Sequence, residues 1–232
     1  MVDTPPRVPW ISDVKSKGEL TLAVADSANK AGWSKVFKDA VFEFNRLSSS
    51  LSLGVTYKQI DDADSANVEI RAAGGDFEFG LPPQVPTKTY KFDGSGTHGL
   101  CKPVLTTERD AARVEQFRMM KAYLYVPATP TGDRNGSRSP VGDPIKLVIA
   151  VHEMVHGCGI IDDKEHSVDD LFCWPQLRMG NKPSEDRLGT LGGTYTFPGK
   201  PGEAPRVGHR IVDMPPLILN NPTAEKVRKL WA

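Results

Sequence analysis

The chain has 232 residues, of which 39% are hydrophobic, enough for one large globular domain or two small ones. Lysine and arginine together number 29, as do aspartate and glutamate, so charge gives no reason to expect a nucleic acid or a membrane surface as partner. No apolar run approaches a membrane span and no signal peptide is visible, so we expect either a cytoplasmic protein or the mature form of a secreted one.

The first half of the chain alternates strand and helix patterns. Residues 1–18 are proline-rich and polar, which predicts an arm lying on the surface. Apolar residues recur at helical spacing across 36–47 and predict an amphipathic helix. Residues 73–103 are rich in glycine and proline and predict loops. Strands are predicted at 19–25, 53–60 and 66–72.

The middle of the chain predicts a strand, a loop and an apolar helix. The strand covers 121–128, and the polar segment 129–142 predicts a mobile loop. Asp143 is suited to a helix N-cap and Pro144 to the first helical position. The helix that follows is largely apolar, through Ile145, Leu147, Val148, Val151 and Val155.

This helix carries the segment 152–159, HEMVHGCG, which has the pattern HExxHxxG. Residues four apart lie on one helix face, so His152 and His156 can point two imidazoles at one ion. Glu153 stands beside the first ligand, where its carboxylate can take a proton from a metal-bound water. Gly159 permits a left-handed turn that ends the helix. The alternative, two core histidines bonded to backbone carbonyls, would bury two imidazoles and a carboxylate at high cost.

The three cysteines predict no disulfide framework, because their number is odd. Cys158 could be a further metal ligand. We favour a small buried residue instead, because a thiolate would fill the position that catalysis needs open.

The C-terminal part of the chain has a different character. Residues 168–212 hold short hydrophobic runs between glycines and prolines, and predict an irregular subdomain. Pro222 can open a final helix, whose apolar face would include Val227, Leu230 and Trp231.

Taken in order, these features resemble the metzincin zinc peptidases, most closely the matrixin-like branch. Beside the central motif, residues 92–96 (FDGSG) resemble that family's Asp-Gly loop, and 121–128 resembles the edge strand that lines its cleft. Residues 214–216 (MPP), before the final helix, resemble its Met-turn. The resemblance implies an α+β fold with a twisted mixed sheet, an edge strand over the cleft, an active-site helix and a C-terminal helix.

The same resemblance implies a single catalytic domain over residues 1–232. Its N-terminal subdomain would be 1–159, with the sheet and the metal helix. Its C-terminal subdomain would be 160–232, with the third ligand, the Met-turn and the final helix. We expect a monomer.

The chain departs from the family pattern at the third ligand. The pattern places a third histidine three residues after the glycine, where this chain has Asp162. His166, followed by Ser167 and Asp169, resembles the His-Ser-x-Asp that follows the third histidine of matrixins. We favour His166, because imidazole suits a borderline-soft ion already held by two histidines. Asp162 stays the alternative, since carboxylates also bind zinc.

The motif and the resemblance predict a zinc-dependent endopeptidase (a metalloendopeptidase, hence a hydrolase) acting on a protein or peptide. Glu153 would be the general base that deprotonates the attacking water. Met214 would form a hydrophobic floor below the metal, with Met179 as a less favoured candidate. Two alternatives stay open: a catalytically silent metal-binding module, which the intact Glu153 disfavours, and a dedicated single-target peptidase, toxin-like or virion-associated.

Overall fold

A mixed five-stranded sheet, with the two longest helices packed on one face, gives the protein an α+β fold. The structure, a computed structural model, describes residues 6–81, 85–91, 99–110, 113–134, 137–141, 143–161, 171–173, 195–197, 206–208 and 217–232. The described helices are α1 (Ser12–Lys15), α2 (Asp26–Lys30), α3 (Ser34–Leu51), α4 (Asp143–Gly157) and α5 (Asn221–Trp231). The described strands are β1 (Glu19–Val24), β2 (Thr56–Gln59), β3 (Val68–Ala73), β4 (Asp76–Leu81), β5 (Val85–Lys91), β6 (Leu100–Arg109), β7 (Glu115–Pro127), β8 (Thr131–Arg134), β9 (Ser137–Pro140), β10 (Leu171–Cys173), β11 (Tyr195–Phe197), β12 (Arg206–Gly208) and β13 (Leu217–Leu219).

The strand order of the central sheet is β2-β1-β3-β7-β6. β1 runs parallel to β2 and β3, and β3 runs parallel to β7, whereas β6 is antiparallel to β7. The sheet therefore has one antiparallel strand, and that strand lies at its edge.

The prediction that 121–128 forms the edge strand is wrong. This segment belongs to β7, which lies between β3 and β6. Ala122 and Leu124 face the main core, while Tyr125 is buried on the opposite face of the sheet. Burial on both faces is typical of an interior strand. The edge position belongs to β6, which begins inside the stretch predicted as loops.

One hydrophobic core joins α3 and α4 to the same face of the sheet. From α3 it takes Val36, Phe37, Ala40, Phe44 and Leu47, which confirms the predicted amphipathic helix. From the sheet it takes Leu20, Leu22, Val68, Ile70, Ala122, Leu124 and Val126. From α4 it takes Leu147, Ile149, Ala150, Val151, Met154 and Val155. Each of the larger side chains (Val, Leu, Ile, Phe or Met) contributes roughly 1.5–3 kcal/mol when fully buried, so α4 is held firmly in place.

The opposite face of the sheet is partly covered by the β4–β5 hairpin. Phe77 stacks on Tyr125 with ring centroids 4.4 Å apart, and Phe79 meets Tyr123 edge-on at 5.6 Å. The prediction of loops across 73–103 is therefore wrong for this hairpin. Alternation of aromatic and other residues in β4 (DFEFGL) carried the strand signal.

The arm predicted on the surface is instead an anchored segment, here called the N-terminal arm (residues 6–11). Val8 and Trp10 are 0% and 1% exposed. The amide of Ile11 donates to Met119 O, and the amide of Met119 donates to Pro9 O. The two apolar side chains anchor the arm in the core, although residues 1–18 as a whole are proline-rich and polar.

The segment 129–142 also differs from its prediction as a mobile loop. β8 and β9 pair within it as an antiparallel hairpin. The sequence between these strands is Asn-Gly, the dipeptide that two-residue hairpin turns favour.

The predicted final helix is confirmed as α5. Pro222 lies in its first turn, and the side chain of Asn220 caps it by accepting from the Thr223 amide at 2.9 Å. Val227 and Trp231 of this helix are buried in the main core. Most of 168–212, predicted as an irregular subdomain, lies outside the described residues. No helix in the described part of the chain is long and apolar enough to cross a membrane.

Candidate metal centre

Helix α4 brings His152 and His156 together, as their spacing predicts. Their Nε2 atoms lie 3.1 Å apart, and both rings are largely buried. If both nitrogens bound one zinc ion at the usual distance of 2.0–2.1 Å, this separation would correspond to an N–Zn–N angle of roughly 100°, close to the tetrahedral value. The pair is therefore suited to hold one ion.

A backbone carbonyl fixes the orientation of the second imidazole. Nδ1 of His156 lies 2.6 Å from Ile160 O. A carbonyl can only accept, so Nδ1 donates and carries the ring proton of the neutral imidazole. Nε2 is then left with its lone pair toward His152, which is the tautomer a metal ligand requires.

Glu153 is buried beneath the beginning of the edge strand. Glu153 is only 2% exposed, and its carboxylate lies against Gly99, the residue just before β6. A Cβ at position 99 would stand 2.1 Å from Oε1 of Glu153, so only glycine fits without a shift. Gly99 has no signal in the sequence, because no local pattern indicates which strand passes over α4.

Gly159 ends α4 in the way the sequence predicts. Its φ of +114° is in the region that favours glycine. A Cβ there would also lie 2.5 Å from Val8 O. The chain beyond it pairs with the N-terminal arm, through an Arg7–Ile160 bridge and a bond from the Ile161 amide to Pro6 O.

The interpretation of Cys158 as a small buried residue is confirmed. Its Sγ donates to Met154 O at 3.3 Å and lies 3.9 Å from the Tyr57 hydroxyl, which also donates to Met154 O. Burial raises the pKa of Cys158 to about 12 and raises the pKa of Tyr57 well above its usual value. Both groups are neutral near pH 7.

The remaining predicted site residues lie outside the described residues: His166, Asp162, Met214, Met179 and the 92–96 loop. Within the residues that are described, no group of three His, Cys, Asp or Glu side chains is arranged to hold a metal ion. The third ligand therefore stays a prediction.

Comparisons with known proteins do not assign the chain to a family. No protein-family model matches it, and no curated protein matches it either. Function is therefore inferred from the geometry of the site and from the order of the elements around it.

The contact between Gly99 and Glu153 gives a test of this geometry. We expect Gly99→Ala to lower the free energy of unfolding by about 1–3 kcal/mol, the usual cost of overpacking. Denaturant unfolding followed by tryptophan fluorescence measures this loss. Gly74→Ala is the matched control, because its new methyl would meet only the Cβ of Ala128, at 3.9 Å. That control should cost less than about 0.5 kcal/mol.

A double-mutant cycle isolates the contact. In a Glu153→Ala background the collision has no partner, so Gly99→Ala should cost almost nothing there. An equal loss in both backgrounds would show that the strain comes from the strand rather than from Glu153.

Proposed function

We propose that the protein is a zinc-dependent endopeptidase. The observation that carries the proposal is the pair of Nε2 atoms of His152 and His156, 3.1 Å apart, next to the buried carboxylate of Glu153. Neutral imidazoles are common zinc ligands, and a site with an open position is the catalytic type. When bound, zinc would act as a Lewis acid that makes water a nucleophile near pH 7.

Glu153 is the general base of this proposal. It follows His152 directly in α4, and its carboxylate lies between α4 and the start of β6. Such a carboxylate can take a proton from the attacking water and return it to the leaving nitrogen of the peptide. Its seclusion beneath the strand excludes bulk water from that transfer.

The edge strand β6 is the proposed substrate-binding element, in place of the segment 121–128. No described strand pairs with its outer edge. An extended peptide can add to such an edge through main-chain hydrogen bonds. Because β6 begins next to Gly99, a peptide bound there would pass the Glu153 carboxylate.

The outer edge of β6 lacks one donor, at Pro103. Pro103 is opposite Ala122, whose amide donates to Asn67 O on the β3 side rather than to β6. Two residues directly opposite each other in an antiparallel pair exchange either both of their backbone hydrogen bonds or none. Because Ala122 bonds to the β3 side, the backbone of Pro103 points to the outer edge of β6, as does that of Cys101 two residues earlier. Proline has no N–H, so Pro103 presents a carbonyl alone.

The arrangement of elements supports the metzincin-like, matrixin-like interpretation. A mixed sheet with an antiparallel edge strand, a helix carrying HExxHxxG and a C-terminal helix follow one another in that family's order. Within this proposal, residues 1–232 form one catalytic domain, with subdomains 1–159 and 160–232. It acts as a monomer on a protein or peptide, without a nucleic acid or membrane partner.

Pro103 favours a peptidase of narrow specificity as the second candidate. A missing donor weakens the docking that every extended chain can make, so side chains must supply more of the affinity. That is the situation of a dedicated single-target enzyme. A silent metal-binding module is separated from both candidates by turnover of the unaltered, zinc-bound protein, which the next experiment measures.

The central test measures metal and turnover in the same protein. We expect one equivalent of zinc per chain by elemental analysis, and loss of peptidase activity on chelation. Glu153→Gln should keep the zinc and lose kcat by about 10²–10⁴, the usual contribution of general-base catalysis. Normal turnover in Glu153→Gln, or full activity in a verified metal-free sample, would refute the mechanism. Zinc binding with no turnover on any peptide library would instead favour the silent module.

The third ligand can be identified by zinc titration of single variants. We expect His166→Ala to abolish tight binding and Asp162→Ala to weaken it by about 10–100-fold at most, the effect of a partner that only orients a ligand. Cys158→Ala is the control and should keep the affinity, because that thiol is bonded to Met154 O. The reverse order of the first two variants would identify Asp162 as the ligand.

Pro103→Ala tests the substrate-binding edge. The variant adds an N–H to the outer edge, so we expect KM to fall by up to about tenfold, since a net hydrogen bond contributes about 0.5–1.5 kcal/mol. The kcat value should not change. The gain should vanish with peptides too short to reach position 103, and an equal gain with short peptides would argue against this edge.

A further inference from the structure

Four successive backbone carbonyls follow the second histidine, in a segment here called the terminal turn (residues 157–160). A helix leaves its last carbonyls without partners inside the helix, and these are buried. Trp10 Nε1 donates to Gly157 O at 2.9 Å, and Trp231 Nε1 donates to Cys158 O at 3.0 Å. The Val8 amide donates to Gly159 O at 2.8 Å. The fourth carbonyl, of Ile160, accepts from His156 Nδ1.

The two indoles come from distant parts of the chain. Trp10 belongs to the N-terminal arm and Trp231 to α5, and they are 1% and 7% exposed. They donate to adjacent carbonyls of the same turn, so the end of α4 is held by two separate elements. Neither bond is needed to form α4 itself, because Gly157 O and Cys158 O lie beyond its internal ladder.

The turn has little freedom to adapt if these bonds are lost. Gly159 already has a φ of +114°, and a Cβ at that position would lie 2.5 Å from Val8 O and 3.3 Å from Leu230 Cδ1. The position of the Ile160 carbonyl follows from this conformation. That carbonyl determines which nitrogen of His156 carries the proton and where the ring points.

We propose that Trp10 and Trp231 are positioning residues for the metal centre. Their indole N–H groups hold the terminal turn so that Ile160 O meets Nδ1 of His156 and Nε2 faces His152. The inference deepens the proposed function and rests on it, since it assumes that the two imidazoles bind zinc. Partners that orient metal ligands contribute about 10–100-fold to metal affinity, and we expect about tenfold for each indole, which acts one bond further away.

The chain contains a matched control for a merely structural role. Trp33 is also fully buried in the main core, and its Nε1 donates to a backbone carbonyl, Pro127 O, at 3.0 Å. This bond has the same chemistry and length as the other two, but its acceptor lies at the end of β7 rather than in the terminal turn. Replacing each tryptophan by phenylalanine removes one indole bond in each case.

The experiment compares Trp10→Phe, Trp231→Phe and Trp33→Phe with the unaltered protein. Three quantities are measured: the thermal midpoint, zinc affinity by competition with a chelator, and the visible absorption of the cobalt(II) form, which reports ligand geometry. We expect all three variants to melt earlier. Only Trp10→Phe and Trp231→Phe should lose about tenfold in zinc affinity and shift the cobalt bands.

The outcomes separate this inference from the proposed function. If the unaltered protein binds neither zinc nor cobalt, the proposed function fails and the inference fails with it. If it binds both metals and Trp33→Phe alters affinity and spectrum as much as the other two, the indoles only support the core. Unchanged affinity and spectrum in Trp10→Phe and Trp231→Phe would equally overturn the positioning role.

A second substitution covers the case in which a phenylalanine variant does not fold. Benzothienylalanine at position 10 or 231 keeps the bicyclic shape of tryptophan and replaces the N–H by sulfur. Loss of zinc affinity with this residue at normal stability supports the inference. Retention of full affinity contradicts it, because only the N–H has been removed.

Discussion

The carbonyl groups at the end of α4 have to be satisfied inside the core, and most of the architecture around the metal centre follows from this requirement. An unpartnered buried carbonyl is costly, and water does not reach this turn. The partners come from the N-terminal arm and from α5, which are over 200 residues apart in the chain. The helix supplies the two imidazoles, but their environment depends on both of these distant elements. The proposed metal centre would thus be a property of the whole core rather than of its eight-residue motif.

Close backbone approaches are the second constraint, and they occur on both sides of the motif. Gly99 leaves room for the Glu153 carboxylate. Gly157 leaves room for the Tyr57 hydroxyl, which would lie 2.5 Å from a Cβ there. These contacts fill the space that side chains would otherwise occupy. A larger residue at either position would have to displace one of these groups, so both glycines are needed for the observed packing around α4.

The sequence predicts the parts of this structure whose signal is local. Apolar residues at helical spacing identify α3, and the spacing of His152 and His156 identifies one helix face. Pairing partners and long-range anchors have no local signal. Residues 1–18 look like a surface arm because most of them are polar or proline, although Val8 and Trp10 among them are buried. β7 differs from an edge strand in that it is buried on both faces. Gly99 and the two indole bonds depend on contacts across 54 to 147 positions, which no local pattern encodes.

The outer edge of β6 matters for aggregation as well as for peptide binding. An uncovered strand edge can pair with any extended chain, including a second copy of the same protein. Here Pro103 removes a donor, and the register of β6 against β7 shifts between Val104 and Leu105. Regular backbone pairing is therefore interrupted a few residues after Gly99, where the Glu153 carboxylate lies. An edge interrupted in this way limits regular pairing between copies, as the expected monomer requires, while the part of the edge next to Gly99 stays close to the Glu153 carboxylate.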